Sequence, residues 1–133
     1  MGRTRLDPWL TAAVLTHLVI TFIHGAAHRG AAVGLDVASS LFVLIVIEIG
    51  PILGLVLSRY RPVVGGWTVA ASMAGALVFG FVNHFVVVSP DHVSLVAADW
   101  RPLFTVTAVL LVVTEAGGVV AGWRRATRLE VTR

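Results

Sequence analysis

Residues 9–28 read WLTAAVLTHLVITFIHGAAH, and apart from three histidines they carry no ionisable side chain. At 1.5 Å per residue a helix of about twenty residues spans about 30 Å, the thickness of a bilayer's hydrocarbon core. His17, His24 and His28 are separated by seven and four positions, so at about 100° per residue they share one stripe. An ionisable group at membrane depth costs about 3 kcal/mol on insertion scales, so such a stripe belongs on a protein-facing side with partners.

The same signal recurs along the chain. Apolar runs fall at about 9–27, 35–57, 64–88 and 103–123, divided by polar segments at His28–Gly34, Ser58–Pro62 and Ser89–Pro102. Pro62 and Pro102 sit just before a run, where a missing N–H is harmless. Hydrophobic residues make up 57% of the chain and charged ones 13%, about half the charge of a soluble domain. The expected fold is all-α: residues 1–133 form a single transmembrane domain, a polytopic four-helix bundle running up-down-up-down. A cleavable signal peptide would share Arg3, Arg5, an apolar run and Gly25-Ala26-Ala27. His17 breaks that run and favours a retained first helix.

Arginine sets the expected direction. Arg3, Arg5, Arg59, Arg61, Arg124, Arg125, Arg128 and Arg133 fall on one side, against Arg29 and Arg101 on the other. The positive-inside bias puts both termini in the cytoplasm, and a prokaryotic plasma membrane is the expected location. Trp9, Trp67 and Trp123 at one boundary and Trp100 at the other fit an interfacial aromatic belt. The net charge of +3 does not indicate a nucleic-acid partner, because the basic residues cluster at helix ends. The expected partners are the lipid bilayer and either a second copy of the chain or a larger membrane complex.

Composition removes several chemistries. There is no cysteine and no lysine, so disulfides, thiolate ligands and Schiff bases are excluded. Sulfur is confined to Met1 and Met73, a poor donor set for soft Cu(I).

His17, His24, Glu48, Asn83, His84 and Glu115 lie inside the runs. Measured by helical rise from Trp9, Trp123 and Leu57, His17, Glu115 and Glu48 all stand about 12–13 Å above the arginine-rich boundary. His24 and His84 stand higher, at about 22 and 25 Å. His28, Asp91 and His92 come beyond them, at the outer surface. Pro51, just past Glu48, is expected to kink its helix.

Two readings suit the upper layer. His24 and His28, one turn apart, with His84 and then His92, could ligate one transition-metal ion; alternatively, His24 and His84 could hold a b-type haem. A non-haem ion is preferred, because Phe22, Phe79, Phe81 and Phe85 would crowd a macrocycle and His28 and His92 would be surplus to it. The midplane set of His17, Glu48 and Glu115 would add metal ligands or proton carriers, although neither glutamate begins the Glu-x-x-His pair of di-iron bundles. Any single histidine could instead be interhelical glue. The expected function is therefore metal or haem binding for electron transfer or oxidative chemistry. The alternatives are a proton-coupled small-solute transporter or oligomeric channel, and an accessory subunit. No residue pattern names a catalytic group or a reaction.

Overall fold

The computed structural model describes residues 5–130; Arg3 and Arg133, both counted in the arginine bias, lie outside them, as does Met1. It comprises helices α1 (Pro8–Gly30), α2 (Val37–Leu57), α3 (Pro62–Val86) and α4 (Arg101–Glu130), each long and apolar enough to cross a membrane. No strand occurs among the described residues. Most boundaries shift from the sequence expectation by a few residues, α1 running on to Gly30, and two of the ends have a clear cause. α4 continues past Trp123 to Glu130, since arginine is a good helix former and cations suit a helix C-terminus. α3 stops at Val86, where Val87 turns to extended backbone.

Local chemistry sets the other ends. Asp7 caps α1, its Oδ1 accepting from the N–H groups of Trp9 and Leu10 at 3.0 Å, with Pro8 at the first helical position. Asp36 caps α2 through Ser39 N–H at 2.8 Å. α1 closes in a Schellman turn: Val33 N–H donates to His28 O at 3.0 Å and Ala32 N–H to Arg29 O at 3.2 Å. Ala32 supplies the left-handed residue such a turn needs, at φ 55°. Val33 then packs against the cluster containing Ala27, so the turn also fixes where His28 points.

Buried residues recur every third or fourth position. On α4 they are Phe104, Thr107, Ala108, Leu111, Glu115, Gly118, Gly122 and Ala126, one continuous face. Contacts between neighbouring helices run in opposite senses: Gly66 meets Ala126 and Gly122, while Met73 meets Gly118. Likewise His17 lies beside Glu115 and His24 beside Thr107, and Gly54 packs on Gly65 while Phe42 stacks on Phe79. Sequential helices are therefore antiparallel.

Apolar side chains also cover the perimeter, as with Phe22 at 82% exposure. Helices this apolar would, in hydrocarbon, gain little from burying more of that surface and would associate through close backbone approach. A Cβ on Gly122 would lie 2.6 Å from Gly66 O, and one on Gly54 2.8 Å from Val69 N, so glycine is required at both contacts.

The interior is layered. Leu10, Val14, Val69 and Met73 form a fully buried apolar cluster toward the arginine-rich end, flanked by Leu18, Leu55 and Val119. Ala27, Val96 and Phe104 close the opposite end. The ionisable residues lie between these two apolar plugs.

Candidate metal centre

Both α2 and α3 switch to π-helical hydrogen bonding where they carry a polar residue inward. The switch covers Val43–Ile49, which contains Glu48, and Val82–Val86, which contains His84. Such segments are frequent at functional sites because the extra residue re-aims a side chain. In α2 the cause is in the sequence. Pro51 has no N–H to give Ile47 O, four residues back, and His17 Nε2 takes that carbonyl at 3.1 Å. The distortion expected at Pro51 thus takes the form of a π segment ending beside it.

Three imidazoles converge at the upper layer. His24, His28 and His84 each offer a ring nitrogen, all within 4.8 Å of one another. His24 and His84 are buried and His28 half-buried. All three rings pack against Phe104, with centroids 4.7, 4.8 and 5.2 Å away.

The hydrogen bonds assign the nitrogens. Thr107 Oγ1 donates to Leu103 O at 2.7 Å, so at 2.8 Å it accepts from His24 Nδ1–H. His84 Nδ1 faces Asp91 O at 3.1 Å and Asp91 Oδ1 at 3.3 Å, both acceptors, so it too carries the proton. Both rings therefore present an Nε2 lone pair, and these two nitrogens lie 3.1 Å apart. Facing lone pairs repel; a cation between them, either a proton or a metal ion, removes the conflict. Two nitrogens bound tetrahedrally to one ion at about 2.05 Å would be about 3.3 Å apart.

Asp91 completes the arrangement from the loop after α3. Its Oδ1 is buried, lies 3.3 Å from both His28 Nε2 and His84 Nδ1, and makes no hydrogen bond of proper geometry. Burial pushes the Asp91 carboxyl up, but His84, His28 and His24 more than offset this and hold it below the usual carboxylate range. The loop is pinned by Val93 N–H on His84 O at 3.0 Å and by the Arg101 guanidinium on Val96 O at 2.9 Å.

The remaining sequence candidates are placed as follows. Glu48 and Glu115 both line a cavity of about 400 Å³ that reaches up to the three histidines and Asp91. His17 is fully buried beside Glu115, with Nδ1 3.8 Å from Oε1, and neither His17 Nδ1 nor Glu115 Oε2 has another partner. His17, Glu48 and Glu115 do not close into a metal-holding group among the described residues, as His24, His28 and His84 do. His92 turns its Nδ1 to Ser94 Oγ at 2.7 Å, away from the triad, and its neighbour Asp91 faces inward instead. Asn83 is bonded to Phe79 O on its own helix. Phe22 and Phe81 point outward, Phe79 lines the cavity and Phe85 meets His84 edge-on; the ring against all three histidines is Phe104.

Asp91, Thr107 and Phe104 are thus the members that the sequence reading passed over. For Asp91 a signal was available, since it is the nearest acid to the outer histidines; for Thr107 only its height on α4 could have pointed to it. No family model, curated protein or solved structure matches the chain.

Proposed function

We propose that this protein binds one divalent first-row transition-metal ion through His24, His28 and His84, for electron transfer or oxidative chemistry on a small molecule held in the adjoining cavity. The observation that carries the proposal is the opposed pair of Nε2 atoms at 3.1 Å, each on a ring whose other nitrogen is already committed. A shared proton would need only two nitrogens, and the third, from His28, favours a metal ion. Imidazoles oriented by a hydroxyl and by a backbone carbonyl with a carboxylate beside it suit such an ion, and nitrogen donors bind iron, nickel or Cu(II) for redox work as well as redox-inert zinc. When bound, the ion would supply a Lewis-acid or one-electron redox centre. Glu48 and Glu115 in the cavity wall, with His17 beside Glu115, would serve it as proton carriers.

A non-haem ion is favoured over haem b. A haem held by His24 and His84 would have to fit between their Nε2 atoms, and these lie only 3.1 Å apart. Transport receives less support, because the apolar cluster of Leu10, Val14, Val69 and Met73 fills the bundle below His17 and Glu115. The proposal keeps both termini in the cytoplasm, with the His-Asp cluster near the outer face.

The test is metal analysis with a visible absorption spectrum of protein purified in mild detergent. Stoichiometric metal without a Soret band supports the proposal, and a Soret band replaces the ion with haem. Absence of both, after incubation with zinc, iron, nickel and copper salts, overturns it.

A further inference from the structure

A second concavity, sharing no lining residue with the one beneath His24, His28 and His84, lies between α1 and α4 at the arginine-rich end, with a volume of about 500 Å³. Its wall is chemically graded. One end carries Arg124, Arg125 and Arg128 from the last turns of α4. The other end is small and mostly apolar, with Ala12 and Ala13 on α1 and Gly117 and Ala121 on α4, beside Thr16 and Thr114, the latter's hydroxyl turned to carbonyls of its own helix. Gly117 has nothing within 4 Å of where a Cβ would stand, so the floor of the groove is open. Trp9, 79% exposed, stands at the rim, where an indole marks the boundary between headgroups and acyl chains.

Among the described residues, neither Arg124 nor Arg125 meets a carboxylate in the groove. Its one acid is Asp7, whose Oδ1 is held by the N–H groups of Trp9 and Leu10. Arg125 reaches Arg5 O through Nη2 at 3.4 Å, while its Nε is buried without a partner. A buried guanidinium N–H pointing nowhere requires an acceptor, and a phosphate oxygen supplies one with matched geometry. From Arg124 to Gly117 the groove descends about 11 Å along the helix, from cations to an apolar slot.

We infer that this groove is a binding site for an anionic phospholipid, with the phosphate on Arg124, Arg125 and Arg128 and one acyl chain along Gly117 and Ala121. Basic pockets between transmembrane helices recognise anionic headgroups in this way, each arginine contributing about fivefold in affinity. A headgroup alone would not need the slot, and a zwitterionic lipid, whose phosphate also reaches Arg125 Nε, would bring its own cation against the arginines. The inference is independent of the metal proposal.

The experiment is native mass spectrometry of the intact protein in detergent doped with equal amounts of phosphatidylglycerol and phosphatidylcholine, with the thermal midpoint measured in each lipid separately. Phosphatidylglycerol should be retained preferentially and should raise the midpoint, whereas phosphatidylcholine should not. The double variant Arg124→Gln/Arg125→Gln should lose about 25-fold in retention. Gly117→Leu, which fills the slot with every arginine intact, should also lose retention while its lipid-free midpoint stays at the wild-type value. Equal retention of the two lipids by the wild type, or wild-type retention by both variants, would overturn the inference. Loss in the arginine variant but not in Gly117→Leu would mean a headgroup site only and would remove the acyl slot.

Discussion

His24 and His84 are 60 positions apart in the chain, yet their Nε2 atoms lie 3.1 Å from each other, each ring held by a hydrogen bond at Nδ1. Three elements produce the contact. α1 delivers His24, a π segment at the end of α3 rotates His84 inward, and Asp91 reaches back from the following loop to hold it. Thr107 on α4 does the same for His24. The two rings cannot relax independently, because each is fixed on the side facing away from the other.

The first prediction concerns the three ligands. His24→Ala and His84→Ala should each abolish metal binding, and His28→Ala should weaken it at least about tenfold, since a third nitrogen is lost but the opposed pair survives. Titration calorimetry with Zn(II) in detergent measures all three. If every variant binds as the wild type does, the histidines only pack the bundle.

The groups behind the ligands should matter nearly as much. Asp91→Asn removes the carboxylate charge 3.3 Å from His84 Nδ1 while keeping the backbone carbonyl that the ring bonds, and Thr107→Val removes the acceptor at His24 Nδ1. Each should lower metal affinity about 10–100-fold without changing helix content by circular dichroism. Unchanged affinity in both would separate Asp91 and Thr107 from the site.

Two glycines on α4 should behave oppositely. Gly122→Leu must push α3 away, because a Cβ there would be 2.6 Å from Gly66 O and 2.7 Å from Ala70 N. A cost of about 3 kcal/mol or more is expected from such overpacking. Gly117→Leu faces open space and should cost almost nothing. Equal destabilisation of the two in detergent unfolding curves would contradict the α3–α4 packing described here.

Ala32→Gly should stabilise the fold. Ala32 holds φ 55°, which costs an L-residue about 1–2 kcal/mol, and glycine relieves most of this while adding unfolded-state entropy. A net gain of about 0.5 kcal/mol, seen as a small rise in thermal midpoint, is expected, with metal affinity unchanged. A fall in the midpoint would show that the turn depends on the Ala32 methyl group.

Orientation can be read from opposite loops. Ser58 is a poor probe because it is fully buried, whereas Tyr60 is 44% exposed and Ser94 is exposed. With both termini in the cytoplasm, Ser94→Cys should react with an impermeant thiol reagent in intact cells and Tyr60→Cys only after lysis. The reverse pattern would invert the proposed topology.

Much of this arrangement was determined by sequence alone, because helical rise and rotation are constant. Apolar run length gave four spans, the spacing of His17, His24 and His28 gave their common stripe, and counting from the tryptophans placed His24 level with His84 and His17 level with Glu115. Both pairs meet in the structure, the first at 3.1 Å between nitrogens and the second at 3.8 Å. Height along a helix, however, does not say how near two helices come at that height. Tertiary packing alone decided that Glu48 and Glu115 line the cavity while His17 bonds Ile47 O, that Phe104 backs the histidines, and that Thr107 orients His24. The loop carried least information. Asp91 and His92 are adjacent, and without helical periodicity nothing local distinguishes the inward residue from the outward one. That choice follows from Val93 and Asp91 both bonding to His84, a contact that exists only once α3 and the loop have folded together.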